Sequence, residues 1–167
     1  WKQSNVCAIF KKGKKSDVSN YRPVSMESLL CKVGEKIIKN ELLDFLISNG
    51  MINESQHGFL PGRSTTTNLI EYLDDISAAM DEGLTICSIY TDFSKCFDRI
   101  PHRLVIHKLR KRYNIDGAVL AWIQDWLSNR QQRVVLNGEA SEWRIVESGV
   151  IQGSVLGPIL ALLMLDS

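Results

Sequence analysis

The chain has 167 residues, of which 44% are hydrophobic and 23% are charged, and its formal net charge is +1. This composition is too apolar for a disordered protein and too close to neutrality for a protein whose whole surface is basic. We therefore expect one globular domain or a part of one.

The cysteines and histidines show no metal-binding pattern. The four cysteines include no Cys-x-x-Cys pair, and the three histidines form no His-Glu-x-x-His. We expect buried, reduced thiols at Cys7, Cys31, Cys87 and Cys96. The sequence has neither a signal segment nor an apolar run long enough to span a bilayer, which favours an intracellular protein of the nucleus or cytoplasm with no membrane contact. The initial Trp1 and the hydrophobic run at the end suggest a piece of a longer protein.

Two extended segments open the chain. An apolar run at residues 6–10 and the sequence Tyr-Arg-Pro-Val at residues 21–24 flank a lysine-rich stretch at residues 11–19. Apolar runs bounded by polar, glycine-containing stretches are typical of strands. We predict two extended pieces joined by a basic turn.

Two amphipathic helices are predicted next. The first covers residues 29–47, and its expected buried positions recur at Val33, Ile37, Leu42 and Leu46 before the stop signal Asn49-Gly50. A loop at residues 58–64 follows. The second helix is expected to be capped within residues 65–67, to end at Gly83, and to bury Leu69, Leu73, Ile76 and Met80.

The rest of the chain mixes strands and helices. Residues 84–91 alternate in a β-branched run and are predicted to form the clearest strand. Helices are expected at residues 102–112 and 116–127. A strand that starts at Arg133 leads into the turn Asn137-Gly138, and residues 143–150 can return as its hairpin partner. Separated helices with antiparallel pairing indicate an α+β fold.

Asp92 is the sharpest candidate for chemistry because it directly follows the predicted strand. A carboxylate at the end of a buried strand is held rigidly while its oxygens face a cleft, as Mg²⁺ sites require. One carboxylate does not make a site. Asp98 is the nearest candidate partner, and the alternative is that Asp98 caps the helix that begins near Pro101.

A second candidate is the glycine-rich stretch at residues 148–158, which precedes an apolar helix. Glycines let a substrate approach the backbone closely, and a helix N-terminus favours an anion. The spacing matches neither a P-loop nor a nucleophile elbow, so a plain turn is the alternative for this stretch and for residues 58–64. The basic clusters at residues 2–22 and 108–112 can hold phosphates or be solvated surface.

Four blocks in one order resemble the reverse transcriptases of non-LTR (LINE-type) retrotransposons, and the jockey-like elements in particular. These blocks lie at residues 20–25, 56–65, 90–98 and 149–158, with a helix from Trp122 to Trp126 and a strand at residues 131–134 between the last two. The resemblance implies a right-hand polymerase fold with an antiparallel palm sheet and packed helices. It further implies a fingers-like region over residues 1–83 and a partial palm over residues 84–167, without the Tyr-x-Asp-Asp hairpin and the thumb.

The same resemblance implies a role for individual residues. Asp92 matches the first catalytic, metal-binding aspartate, and the backbone carbonyl of Phe93 a further metal ligand. Nucleotide contacts are implied for Arg22, Phe97, Gln152 and Gly153, where Arg22 clamps the triphosphate and Phe97 excludes a 2′-hydroxyl. Template contacts are implied for Lys11, Lys12, Lys14, Lys15, Arg63 and Ser64.

The implied reaction is nucleotidyl transfer to a DNA primer on an RNA template, with deoxynucleoside triphosphates and two Mg²⁺ ions, or Mn²⁺ in their place. A fragment without the downstream carboxylates is expected to be inactive alone and poorly soluble. One competing hypothesis is a non-catalytic nucleic-acid-binding remnant. Another is a phosphohydrolase with Asp92 as nucleophile, which explains neither Arg22 nor the Gln152 block. Cys96, Ile151 and residues 164–167 depart from the family pattern.

Overall fold

A mixed sheet packed beside a bundle of helices makes up the fold in the computed structural model, which describes residues 1–93 and 96–166. The strands of the described part are β1 Gln3–Phe10, β2 Tyr21–Met26, β3 Gln131–Leu136, β4 Glu139–Ala140 and β5 Arg144–Ile145. Its α-helices are α1 Leu29–Ser48, α2 Thr65–Asp81, α3 Cys96–Arg99, α4 His102–Lys111, α5 Gly117–Leu127 and α6 Gly157–Leu165. The α+β prediction is confirmed at this level.

The β1–β2 hairpin forms as predicted around the lysine-rich loop. Its strands are antiparallel, with Phe10 opposite Tyr21. The Lys11 amide donates to the Asn20 carbonyl over 2.8 Å and closes the loop. A short 3-10 helix at Val18–Asn20 begins with the Asp17 side chain accepting from the Ser19 amide. The two ends of the loop are therefore fixed, while its four lysines stay exposed.

The sequence led us to expect an antiparallel sheet. The observed sheet is mixed. β1 pairs in parallel with β3, and β4 and β5 both pair antiparallel with β3. The Asn137-Gly138 turn forms, with φ angles of 51° and 87°. The predicted strand at residues 143–150 shortens to β5, because the chain then turns away from the sheet and the Gly149 and Val150 amides donate to α3 and its flank.

The hydrophobic core lies between helices α1, α4, α5 and α6. The fully buried side chains include Leu46, Leu109, Ile123, Trp126 and Leu160. Helix α6 is buried along most of its length, and its C-terminal end is tied to α4 by ionic and hydrogen bonds to Asp166. Exposed apolar surface on this helix is confined to its end, where Leu165 is 51% exposed.

The buried face of α1 differs from the predicted one in its first half. Val33 and Ile37 are 51% and 60% exposed, whereas Cys31 and Glu35 are buried. The prediction was wrong because it assigned the buried face to apolar residues only. The second half follows the prediction, with Leu42 and Leu46 in the core.

Helix α2 and the segment that follows it lie outside the core. No residue of α2 is buried, and Leu69, Leu73 and Met80 of its predicted apolar stripe are each more than half exposed. The predicted strand at residues 84–91 is irregular and exposed. A strand needs a neighbouring edge to bond to, and none of the strand pairs of the described sheet includes this segment. The Tyr90 hydroxyl instead donates to Tyr72 on α2 over 2.7 Å.

The cysteines are all free, but they are not all buried. Cys31 is buried, Cys7 and Cys96 are half-buried, and Cys87 is exposed. The prediction of buried thiols is thus wrong for Cys87, which lies on the segment without a strand partner. Within residues 1–93 and 96–166, no helix is both long and apolar enough to cross a membrane.

Candidate nucleotide-binding site

The β2 strand and the Gln152 loop are joined at the centre of the candidate site. The Ser25 amide donates to the Gln152 carbonyl over 2.8 Å. Gly153 has a φ of +111°, and a Cβ atom there would lie 2.8 Å from the Ser25 carbonyl oxygen and 3.3 Å from Cγ1 of Val24. Arg22 shares the strand face of Val24, because side chains alternate along a strand. The fold therefore brings the strand that contains Arg22 against Gln152 and Gly153, although Arg22 itself has no described contact with the loop.

Phe97 is held against the same loop from the other side. Its carbonyl accepts from the Val150 amide over 2.7 Å, and the Gly149 amide donates to the Ile100 carbonyl over 2.8 Å. Nε2 of His102 donates to the Gly149 carbonyl over 2.7 Å. The Phe97 ring is half-buried and meets Phe59 edge to face at 6.3 Å. These bonds fix Phe97 relative to the Gln152 loop.

A cleft of about 460 Å³ opens between the sheet and this loop. Its walls include Ser25, Gln152 and Asp98 together with the guanidinium groups of Arg133 and Arg144. Arg133 is oriented by Asn5, whose side-chain oxygen accepts from Nε over 2.9 Å, and lies 4.5 Å above the Trp143 ring. Oriented arginines beside an open cleft suit an anionic ligand.

Asp92 stands apart from the residues that the fold brings together. It lies on the irregular segment and is exposed, as is Phe93. The Phe93 carbonyl accepts from the Cys96 amide over 3.3 Å, which leaves its second lone pair free. Residues 94 and 95, which belong to the same sequence block, lie outside the described residues.

Asp98 does not cap α4, which was one of its two interpretations from the sequence. The residue before α4 is Pro101, and no side chain accepts from the first amides of that helix. Asp98 belongs to α3, which ends at Arg99, and is therefore too far along the chain from the first amides of α4 to accept from them. It lines the cleft instead, and its backbone carbonyl accepts from the Ser148 hydroxyl over 3.2 Å.

The residues predicted to contact the template lie at two exposed places. Lys11, Lys12, Lys14 and Lys15 all project from the hairpin loop, and the Lys15 ammonium lies 5.8 Å from the Phe10 ring centre. Arg63 donates to the Glu54 carbonyl. The Ser64 hydroxyl accepts from the Thr67 amide and begins α2 in a capping box, one residue before the predicted cap.

The donor atoms at Asp92 and Phe93 suit Mg²⁺ in kind. A carboxylate and a carbonyl are hard oxygen ligands, and Mg²⁺ commonly takes one or two protein carboxylates together with substrate phosphates. Within the described residues, the one group of three or more side chains able to hold a metal is Glu27, Cys31 and Glu35. A thiol beside the guanidinium of Arg130 does not suit Mg²⁺.

That buried group was missed by the sequence analysis. Glu35 is fully buried on α1 and accepts from the Trp126 indole over 3.1 Å. Glu27, whose side chain is 1% exposed, accepts from Arg130 over 2.5 Å. The spacing of Cys31 and Glu35 was the available signal, since residues four apart share one helix face. Glu27 precedes the N-cap Ser28 of the same helix.

Glu27 is expected to make stability fall as pH rises. Burial, followed by the nearby charge of Glu35, raises the pKa of Glu27 from 4.5 to about 7 against the opposing effect of Arg130. Between those pH values the folded chain holds a proton that the unfolded chain has released, so folding is favoured on the acid side. Unfolding by urea, followed from pH 4.5 to pH 8, should show this loss of stability.

Glu27→Gln imitates the protonated carboxyl and should remove that part of the pH dependence. We expect the variant to be more stable than the wild type at pH 8 and to match it at pH 5. Glu41→Gln, an exposed change on α1, is the control and should leave the pH profile unaltered. An unchanged profile in Glu27→Gln would show that this carboxyl titrates normally.

The cleft with its arginines, the glycine loop and the basic hairpin are features that suit an anionic ligand. The model of the reverse transcriptase (RNA-dependent DNA polymerase) family matches residues 10–167. The chain therefore belongs to the reverse transcriptase family.

The relatives agree with the non-LTR, jockey-like resemblance. The chain is 31% identical to the probable RNA-directed DNA polymerase from transposon BS of Drosophila melanogaster, over 96% of this chain and 18% of that protein. It is 29% identical to the corresponding probable polymerase from transposon X-element, over 96% and 18%. It is 30% identical to the RNA-directed DNA polymerase from mobile element jockey of the same species, over 96% of this chain and 17% of that protein. The chain thus spans less than a fifth of the length of these relatives.

Proposed function

We propose that this protein is the RNA-directed DNA polymerase of a non-LTR retrotransposon, with fingers over residues 1–83 and part of the palm over residues 84–167. The observation that supports the proposal is the convergence of β2, the Gln152 loop and Phe97, joined by backbone hydrogen bonds of 2.7 and 2.8 Å. These three elements are far apart in sequence and match the nucleotide-binding blocks of the family. A right-hand polymerase fold is part of the proposal.

The nucleotide is positioned by groups of β2, the Gln152 loop and Phe97. Arg22 is exposed on β2 and contacts the triphosphate, for which a guanidinium supplies paired donors. Gln152 and Gly153 contact the nucleotide from the loop, where the absence of a Cβ atom permits close approach. The Phe97 ring lies under the sugar and excludes a 2′-hydroxyl by steric conflict, which selects deoxynucleotides.

Asp92 and the Phe93 carbonyl are the proposed metal ligands. Two Mg²⁺ ions, or Mn²⁺, would activate the primer hydroxyl and stabilise the leaving pyrophosphate. Asp92 is exposed, so its carboxylate is accessible to a nucleotide that enters from solvent. In the described part of the chain, Asp92 belongs to no group of three or more metal-binding side chains. We therefore infer that the 167-residue chain alone is inactive and that the full-length protein completes the site.

The template is proposed to lie along the two exposed basic places. Lys11, Lys12, Lys14 and Lys15 supply phosphate contacts from the hairpin loop, and Arg63 and Ser64 supply contacts at the start of α2. The partners are an RNA template, a DNA primer and deoxynucleoside triphosphates. All three are found inside cells, so the proposed location is the nucleus or cytoplasm.

Primer extension tests the proposal against its main alternative, a non-catalytic nucleic-acid-binding remnant. The full-length protein should extend a DNA primer on an RNA template with Mg²⁺ and deoxynucleotides, and chelation of the metal should stop it. The same preparation is assayed for template binding by fluorescence anisotropy. Template binding without any extension would support the remnant and reject the polymerase.

A further inference from the structure

A buried carboxylate lies directly behind the Gln152 loop. Glu35 has no exposed surface. Its Oε2 accepts from the Val155 amide over 2.7 Å and from the Leu156 amide over 3.1 Å. Its Oε1 accepts from the Trp126 indole over 3.1 Å and from the Cys31 thiol over 3.2 Å. Both oxygens are therefore fully used, and each bonds to a different part of the fold.

The two backbone amides belong to the junction between the loop and α6. Both amides lie just before Gly157, the first residue of α6. A buried amide needs an acceptor, and Glu35 of α1 supplies it for both from a distant part of the chain. Ser154 completes the junction, with its hydroxyl accepting from the Gly157 amide over 3.0 Å.

The carboxylate is itself held in place from behind. Trp126 is fully buried on α5 and fixes Oε1. Arg130 is 2% exposed, lies 5.2 Å from the centre of the Trp126 ring and donates to the Trp126 carbonyl over 3.2 Å. Its positive charge offsets the cost of burying Glu35, because a buried carboxylate requires a nearby cation or several donors.

We propose that Glu35 is a positioning residue of the polymerase. Its carboxylate holds the Gln152 loop in the position that nucleotide binding requires. The inference rests on the proposed role of Gln152 and Gly153 in contacting the nucleotide. The loop is anchored at its front by the bond from Ser25 to Gln152 and at its back by Glu35. Loss of the rear anchor lets the loop move while the front strand stays in place.

Glu35→Gln tests this with almost no change in volume. An amide has one acceptor oxygen, and its NH₂ group would face donors whichever way the side chain turns. Either the two backbone amides or the indole and thiol lose their acceptor. Glu41→Gln is the matched control, since it makes the same substitution on an exposed position of the same helix.

Two measurements on the full-length protein distinguish positioning from general support. Hydrogen exchange reports on the Val155 and Leu156 amides without any need for activity. Single-nucleotide incorporation on an RNA template gives KM and kcat for a deoxynucleotide. We expect faster exchange at both amides and a rise of about tenfold in the KM for the nucleotide, the scale of one lost charged hydrogen bond. The KM for primer–template should stay within twofold, as both constants should in Glu41→Gln.

The outcomes separate this inference from the proposed function. Unchanged nucleotide KM in Glu35→Gln, with a wild type that extends primers, would overturn the inference and leave the polymerase intact. A fall in kcat alone would also overturn it, because it indicates a smaller folded fraction. If the wild type does not incorporate nucleotides, the proposed function fails, and with it the role of Glu35 in positioning a nucleotide-binding loop. Hydrogen exchange then still decides whether Glu35 anchors residues 155 and 156.

Discussion

Replacement of Asp92 by asparagine is expected to lower primer extension by the full-length protein about 10³-fold, the scale on which removal of one group that stabilises transition-state charge acts. Asparagine has almost the same shape but lacks the negative charge that a divalent cation requires. Asp92 is exposed and lies outside regular structure, so the variant should unfold at the same urea concentration as the wild type. The rate is measured under single-turnover conditions with Mg²⁺ and an RNA template.

The control for this variant is Asp75→Asn on α2, which removes the same charge from another exposed position. Its extension rate should stay within twofold of the wild type. An Asp92→Asn protein that keeps more than a tenth of the wild-type rate would contradict the assignment of Asp92 as a metal ligand.

Gly149→Ala is expected to destabilise the fold by about 3 kcal/mol, the sum of backbone strain and overpacking in a buried position. Gly149 is buried at a φ of +88°, and a Cβ atom there would lie 2.7 Å from the Phe97 carbonyl oxygen and 2.8 Å from that of Asp98. Both neighbours are backbone atoms, so neither can move without shifting α3. Urea unfolding of the chain measures the effect.

Gly138→Ala is the control that separates the backbone strain of a positive φ from the steric clash of the added Cβ atom. Gly138 has a φ of +87°, and nothing lies within 4 Å of the position that its Cβ atom would take. It should therefore lose only about 1 kcal/mol, the cost of the left-handed backbone conformation alone. Equal destabilisation of the two variants would mean that the contact between Gly149 and α3 is looser than described.

The elements that sequence predicted well are those formed by local signals. The β1–β2 hairpin follows from two apolar runs on either side of a polar loop, and the turn at Asn137-Gly138 follows from a residue pair suited to positive φ. Helices α4 and α5 show the helical period and end close to the predicted residues. In each of these cases the neighbouring residues contain the necessary information.

The elements that sequence predicted poorly depend on distant partners. The segment at residues 84–91 has strand-forming residues, yet in the described structure it is irregular and pairs with no strand of the sheet. β1 and β3 pair in parallel across more than a hundred residues, which no local pattern reveals. Such pairings are decided by tertiary context rather than by propensity.

The candidate site shows the same division. Gln152, Phe97 and Arg22 were identified from sequence blocks, and backbone hydrogen bonds join the Gln152 loop to Phe97 and to Ser25 on the strand of Arg22. Glu35 was assigned to no role, because its partners Trp126, Val155 and Leu156 are about a hundred residues away and one side of the network is backbone. Its trace in the sequence was the spacing of four residues that it shares with Cys31.

Exposed apolar side chains lie on α1 as well as on α2 and the segment after it. Leu29 and Leu30 are 77% and 84% exposed, and Leu73 and Ile89 are 57% and 84% exposed. Large apolar patches promote association, so the low solubility expected for this chain stays a prediction that these side chains support.

The most direct test of the account is a double-mutant cycle on nucleotide incorporation by the full-length protein with an RNA template. The central claim is that Arg22 and Gln152 contact one nucleotide, as the bond between their elements allows. We expect Arg22→Ala and Gln152→Ala each to lower kcat/KM for the deoxynucleotide about tenfold. The loss of kcat/KM in the double variant should be smaller than the product of the two single losses by about 1 kcal/mol, which is roughly fivefold. Residues that share a ligand show such coupling. Strictly multiplicative losses, or a wild type that incorporates nothing, would contradict the account.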